Sequence, residues 1–265
     1  MGGPIQNRDV LHSWCIIGDD IYTLLVFMNP ISFDCALIPG LILRPIPAGT
    51  FMMGDREEGA LHRVSIKGLY MAETVVTCAQ YDIYCASMGI TNPAQILEWG
   101  GGDIPQVCVS WNETKQYIQW LNDRLHTDKP LRLPSEAEWE YCCRAGTTTS
   151  FSWGDEIEPA LANYKGCGSP WDNKQAAPVR SFPPNQWGLY EMHGNVWEMV
   201  EDHIHSDFHA APCDGSAWVD DSLSTRVMRG GGWNNRPASQ VSSTRFACPE
   251  DIGTFTVGFR LACDV

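Results

Sequence analysis

Short apolar runs and turn-forming clusters alternate along most of the chain. In His62-Arg-Val-Ser-Ile-Lys67, polar Arg63, Ser65 and Lys67 alternate with Val64 and Ile66, the period of a half-buried strand. Pro47–Gly54 reads as a strand followed by a turn, and Val257–Ala262 alternates again, with Val257, Phe259 and Leu261 on one face. Helical starts are marked by capping boxes, in which an N-cap Ser or Thr is followed three residues on by Gln or Glu. Thr77/Gln80, Ser110/Glu113 and Ser135/Glu138 fit this pattern. The second helix carries the stripe Tyr117, Ile118, Leu121 and Leu125, and Gly146 is placed to end the third. After Gly146 the chain is dense in turns. The reading is an α+β class with few regular elements and many loops. Residues 1–43, with the unpatterned apolar stretch Leu24–Met28, are expected to form an N-terminal extension or wrapping arm. Residues 44–265 are expected to form one domain.

Composition narrows the function. The formal charge of -14 argues against a nucleic-acid partner, since binding phosphates needs a basic surface. Eleven tryptophans sit among Gly, Asn and Pro, a distribution that suits irregular backbone pinned by large indoles. Eleven cysteines form an odd set without a CxxC pair, which removes zinc-ribbon and thioredoxin-type readings and favours free thiols. No basic-then-apolar leader opens the sequence, and Ile21–Ile31 is too short to span a bilayer. A cytoplasmic location is the simpler expectation, with surface display the alternative if a leader was removed.

Several blocks carry a family resemblance. Arg132-Leu-Pro-Ser-Glu-Ala-Glu-Trp-Glu-Tyr141 with Arg144-Ala-Gly146, Val109-Ser-Trp111, Phe182-Pro-Pro-Asn185, Gly188–Glu198, Arg229-Gly-Gly-Gly-Trp233 and Gly258-Phe-Arg260 resemble the formylglycine-generating-enzyme (sulfatase-modifying factor) family. The resemblance implies a C-type-lectin-like core. It also implies several kinds of activity: a copper oxidase, an iron sulfoxide synthase with an added helical domain, and the ligand-displaying variable proteins of diversity-generating retroelements.

The residues discriminate among these. The oxidase needs two thiolates shortly after the Gly-Gly-x-Trp turn, since soft Cu(I) prefers sulfur. Those positions carry Asn235 and Gln240 here, and lone Cys248 does not restore a pair. No segment before Arg44 is long enough for the iron enzyme's ligand domain. Asp202, His203, His205, Asp207 and His209 are the best remaining catalytic-metal candidates, beside the plainer reading of a solvated polar loop. Nucleophile-elbow, Walker and dinucleotide motifs are missing, and Gly100-Gly-Gly102 lacks the lysine a phosphate loop needs. Glu136/Glu138 read as acids favoured by the helix dipole. No catalytic residue or catalytic cofactor is therefore expected.

The resemblance further implies structural calcium. One set would be Glu191 and Glu198 with the carbonyls of Gly194 and Val196. The other would be Asn163, the Tyr164 carbonyl and Asp172.

The stretch from Trp233 to Thr256 loses apolar periodicity and mixes residue types sharply. Followed by Gly258–Ala262, it is similar to the variable region (233–262 here) of retroelement-diversified proteins. The expected ligand contacts are Asn234, Asn235, Arg236, Ala238, Ser239, Thr244, Phe246, Ala247, Thr254, Phe255 and Thr256, with Gln240 and Glu250 fixed. The partner would be a protein or other macromolecule, engaged by a non-catalytic display surface. The alternative is a metal-dependent oxidase of the same fold.

Overall fold

A computed structural model describes residues 29–33, 36–55 and 61–265. Leu24–Met28 lies outside the described residues. The first strands are β1 (Ile31–Phe33), β2 (Leu41–Ile46), β3 (Gly49–Met53), β4 (His62–Ile66) and β5 (Leu69–Ala72). Helices α1 (Cys78–Met88), α2 (Trp111–Leu125) and α3 (Glu136–Arg144) follow. The second half supplies β6 (Trp197–His203), β7 (Thr225–Arg229), β8 (Arg245–Pro249), β9 (Val257–Phe259) and β10 (Ala262–Asp264).

Two four-stranded sheets and one hairpin result. The first sheet runs β1-β2-β5-β10 and the second β8-β7-β6-β9, while β3 pairs with β4. All named pairings are antiparallel except β6 with β9, which is parallel. The expected domain start at residue 44 is corrected: it would cut β2, whose Leu43 and Arg44 both pair with β5. Leu41 and Leu43 are buried, so this strand is part of the core rather than an arm over it.

The helix starts lie where the capping boxes put them. At α3 the Ser135 hydroxyl accepts from Glu138 N at 3.1 Å, and Ser135 N donates to the Glu138 carboxylate at 2.8 Å. Such reciprocal bonds satisfy amides that the helix leaves free, worth about 1 kcal/mol per cap. The end of α3 differs from expectation. Ala145, not Gly146, is its C-cap and takes the left-handed conformation, φ 46°. In α2 the stripe Tyr117, Ile118, Leu121 and Leu125 is buried, as its spacing predicts.

Ion pairs buried between α3 and the second sheet fix how these layers meet. Arg229, fully buried, reaches Glu136 at 3.1 Å and Glu140 at 2.5 Å, and Arg245 also pairs with Glu136. Glu136 is thus a core partner of two arginines, not merely an acid in a first turn. Arg260 grips Glu198 through Nε at 2.6 Å and Nη2 at 2.7 Å, and the Trp139 indole donates to the same carboxylate at 2.8 Å. The segment 257–261 is therefore buried on both faces, although its alternation reads as half-buried. No helix among the described residues is long and apolar enough to cross a membrane.

Candidate functional site

The segment between β7 and β9 consists of a turn after β7, the edge strand β8 of the second sheet, and the 250–256 loop. Gly231 takes φ 78°, and a Cβ there would meet the Gln240 amide oxygen at 2.2 Å and the Ser239 carbonyl at 2.6 Å. Only glycine lets the turn close over Gln240. Farther on, Gly253 passes so near Cys108 that a Cβ would lie 2.6 Å from its carbonyl carbon. That approach lets Cys108 N donate to Thr254 O at 2.8 Å, tying the 250–256 loop down.

Asn235 and Gln240, the positions where the oxidase would carry thiolates, brace the loop. The Asn235 side-chain oxygen accepts from Trp197 Nε1 at 2.8 Å and Gly232 N at 3.1 Å, and its backbone oxygen accepts from Lys165 N. Gln240 is fully buried, and its amide donates to the carbonyls of Gly232 and Arg236 at 3.4 and 3.3 Å. His193 Nδ1 lies 2.8 Å from the Gln240 carbonyl. Burial holds that imidazole's pKa down to about 4, so it is neutral at physiological pH.

Above this base the segment is open. Arg236, Ala238, Phe246, Ala247 and Phe255 are exposed, while Asn234, Asn235, Ser239, Thr244, Thr254 and Thr256 are partly so. Phe246 and Phe255 are 59% and 47% exposed. Each lies against a buried indole: Phe246 on Trp197 at 5.8 Å between centroids, Phe255 on Trp233 at 6.0 Å. Trp99 meets Trp233 edge-on at 6.4 Å and joins this strip, a residue the sequence reading passed over. Its only signal was a tryptophan beside the glycines Gly100–Gly102, which drew attention solely as a failed phosphate loop.

The histidine segment does not form a metal centre. Asp202 and His203 are buried at the end of β6 rather than solvated. The Asp202 carboxylate accepts from Glu136 N at 2.7 Å and Trp218 N at 2.8 Å, and burial pushes its pKa up to about 7. His203 Nδ1 accepts from Asp220 N at 2.9 Å, with its pKa lowered by burial and then by Arg226. His205 stacks on Trp218 at 3.6 Å, while Asp207 and His209 face solvent. Among the described residues no group of three His, Cys, Asp or Glu is placed to hold a metal ion.

In the two implied calcium sets, the side-chain oxygens and the Tyr164 carbonyl already accept hydrogen bonds from protein donors. Glu198 is bound by Arg260 and Trp139. Glu191 accepts from the backbone of Arg180 and Phe182, and burial pushes its pKa up to about 7. Next to them, Gly194 and Val196 are buried. In the other set the Asn163 oxygen accepts from Ser169, the Tyr164 carbonyl from Cys167 N, and Asp172 from Gly166 N and Gly168 N. The nine cysteines among the described residues are free, and those within α1 and α3 are buried.

A loop-rich α+β domain, with two four-stranded sheets, a hairpin and three helices joined by long loops, is of the C-type-lectin-like class. Residues 37–265 match the sulfatase-modifying factor enzyme 1-like domain, and the chain belongs to that family. It is 27% identical to the formylglycine-generating enzyme of Mus musculus, over 78% of this chain and 74% of that protein. The solved structure of PvdO from Pseudomonas aeruginosa superposes with a TM-score of 0.79 at 32% identity, covering 89% of this chain and 98% of PvdO. Treponema denticola variable protein 1 shares the fold, with a TM-score of 0.70 at 24% identity, over 85% of this chain and 95% of that one.

Proposed function

We propose that this protein is a non-catalytic binding protein that presents the 233–256 segment to a macromolecular ligand, a variable-type display surface on an oxidase scaffold. The observation that carries the reading is the pair Asn235 and Gln240. Both stand where the oxidase needs sulfur, and both brace the turn, Asn235 by accepting from Trp197 Nε1 and Gly232 N and Gln240 by donating to the Gly232 and Arg236 carbonyls. An amide cannot be a thiolate ligand for Cu(I), so the oxidase cycle has no first step here. Exposed Phe246 and Phe255 on rigid indoles, with exposed Arg236 in the same segment, are the kind of anchors on which binding energy concentrates. A loop braced from below also gives up little conformational entropy when a ligand binds.

The protein should neither take up stoichiometric Cu(I) nor convert a cysteine-containing peptide to the aldehyde under oxygen. Copper uptake with turnover would overturn the proposal. The finer assignment, to a retroelement-diversified protein, is tested by sequencing the locus. A neighbouring reverse transcriptase and a near-copy of the 3′ coding segment would support it. Their absence would leave a binding protein of fixed sequence.

A further inference from the structure

Strand β8 is an edge of the second sheet, and among the described residues it pairs with β7 alone. Just beyond it Glu250 N donates to Ser224 O at 3.0 Å, one step past the Thr225–Pro249 pair of the register. In an antiparallel ladder such hydrogen-bonded pairs recur at every second residue. Phe246 and Cys248 therefore turn their N–H and C=O toward Met228 and Arg226 of β7. Arg245 and Ala247 turn theirs the other way, out of the sheet. Pro249, which has no N–H, falls in the same outward phase, where an edge tolerates proline. Among the described residues no other group bonds the N–H or C=O of Arg245 or Ala247.

The side chains along this edge divide by face. Phe246 is 59% exposed and rests on Trp197, and a residue laid opposite it would point to the same face, against the ring. On the other face Arg245 is held by Glu136 at 2.7 Å, and Ala247 is small and exposed. Two outward N–H groups and two outward C=O groups, spaced as in a strand, are the complement of an extended polypeptide main chain. A second copy is disfavoured as the occupant, because two chains of net charge -14 repel each other, whereas a basic segment is drawn in.

We propose that the display segment takes its ligand by strand addition. An extended peptide segment, with basic residues flanking an apolar one, lies antiparallel along β8, pairs with Arg245 and Ala247, and sets its apolar side chain on Phe246. The proposal rests on the display reading and names the class of its ligand.

Isothermal titration calorimetry of the full chain with the peptide acetyl-Lys-Thr-Thr-Leu-Thr-Thr-Lys-amide tests it. The peptide should bind saturably, and more weakly as salt is raised. N-methylating the two threonines beside the leucine should weaken binding about tenfold or more, the scale of two net hydrogen bonds. N-methylating the leucine, whose N–H points away from β8, should change binding less than about twofold. Ala247→Pro removes one outward N–H and no ladder bond, and should weaken binding about fivefold at an unchanged melting temperature. Ala247→Ser keeps that N–H and should bind as the parent does. No saturable heat, or equal or reversed effects of the two methylations, would overturn strand addition. The display reading, which copper uptake tests, would then still stand. Sedimentation of the free chain that quickens with protein concentration, and no longer does so in Ala247→Pro, would put a second copy on the edge and overturn the proposal as well.

Discussion

The floor of the second sheet and the segment that lies over it solve opposite problems with adjacent residues. In the floor, Glu198, Arg260, Arg229 and Glu140 are buried charges whose partners leave almost no freedom. In the segment, Phe246 and Phe255 are apolar groups left in solvent. Both arrangements run against the usual partition of polar outside and apolar inside. The difference is that each buried charge is matched by a specific partner, whereas the exposed rings are matched only by the indoles beneath them. Specificity of structure resides in the floor, and freedom to change resides above it.

The contrast is broken most forcefully from below. Arg260→Met leaves the Glu198 carboxylate buried and unpaired but for one indole donor, and should cost about 3–5 kcal/mol in urea denaturation. The next effect is one of pH. The folded pKa of Asp202 is raised to about 7 from an ordinary 3.8, so the fold favours its protonated form. The stability it contributes is complete below the ordinary value and is lost as pH rises through the folded one. Asp202 should therefore cost the fold on the order of 4 kcal/mol between about pH 4 and about pH 8, and Asp202→Asn should remove that slope. His193 acts with the opposite sign, since its contribution is lost as pH falls from about 6.5 through about 4.

Smaller effects sharpen the boundary between floor and segment. Asn235→Ala removes the acceptor for Trp197 Nε1 and should cost about 1–2 kcal/mol in the same denaturation assay. A neutral result would make Asn235 a ligand contact instead of a brace. Phe246→Ala and Phe255→Ala should each cost less than about 1 kcal/mol, well short of the 3–5 kcal/mol of a buried aromatic. Smallest of all, exchanging calcium for EDTA should shift the melting temperature by less than about 2 °C, because the carboxylates of Asp172, Glu191 and Glu198 already have protein donors.

What could be read from sequence follows the range of the interaction. Helix starts were legible because a capping box closes within four residues, and the α2 stripe because its period is local. The exposure of Phe246 and Phe255 was legible because apolar periodicity stops around them. The role of Asn235 was legible only in the negative, as a missing thiolate. That it accepts from an indole thirty-eight residues away depends on how β6 meets the turn. Asp202 and His203 looked like a solvated cluster because nothing nearby in sequence shows that Glu136 N, Trp218 N and Asp220 N converge on them. The membership of β2 in the first sheet, the burial of Arg260 and the placing of Trp99 against Trp233 are likewise products of distant pairing.

The parallel pairing of β9 with β6 has a consequence for how the molecule can change. The open segment leaves the sheet on β7, returns as the edge strand β8 paired with β7, and enters it again on β9 at the opposite edge, beside β6. Its two ends are thus fixed by hydrogen-bonded neighbours before any loop residue is chosen. For a tethered loop, doubling its length costs only about 0.6 kcal/mol in closure entropy. The 250–256 stretch can therefore be lengthened while the rest of the fold keeps its register, provided Gly253 and the Cys108 N–Thr254 O bond are kept. What is inherited is the anchor strands together with the braces at Gly231, Asn235, Gln240 and Gly253, and what is replaceable is the set of exposed side chains between them.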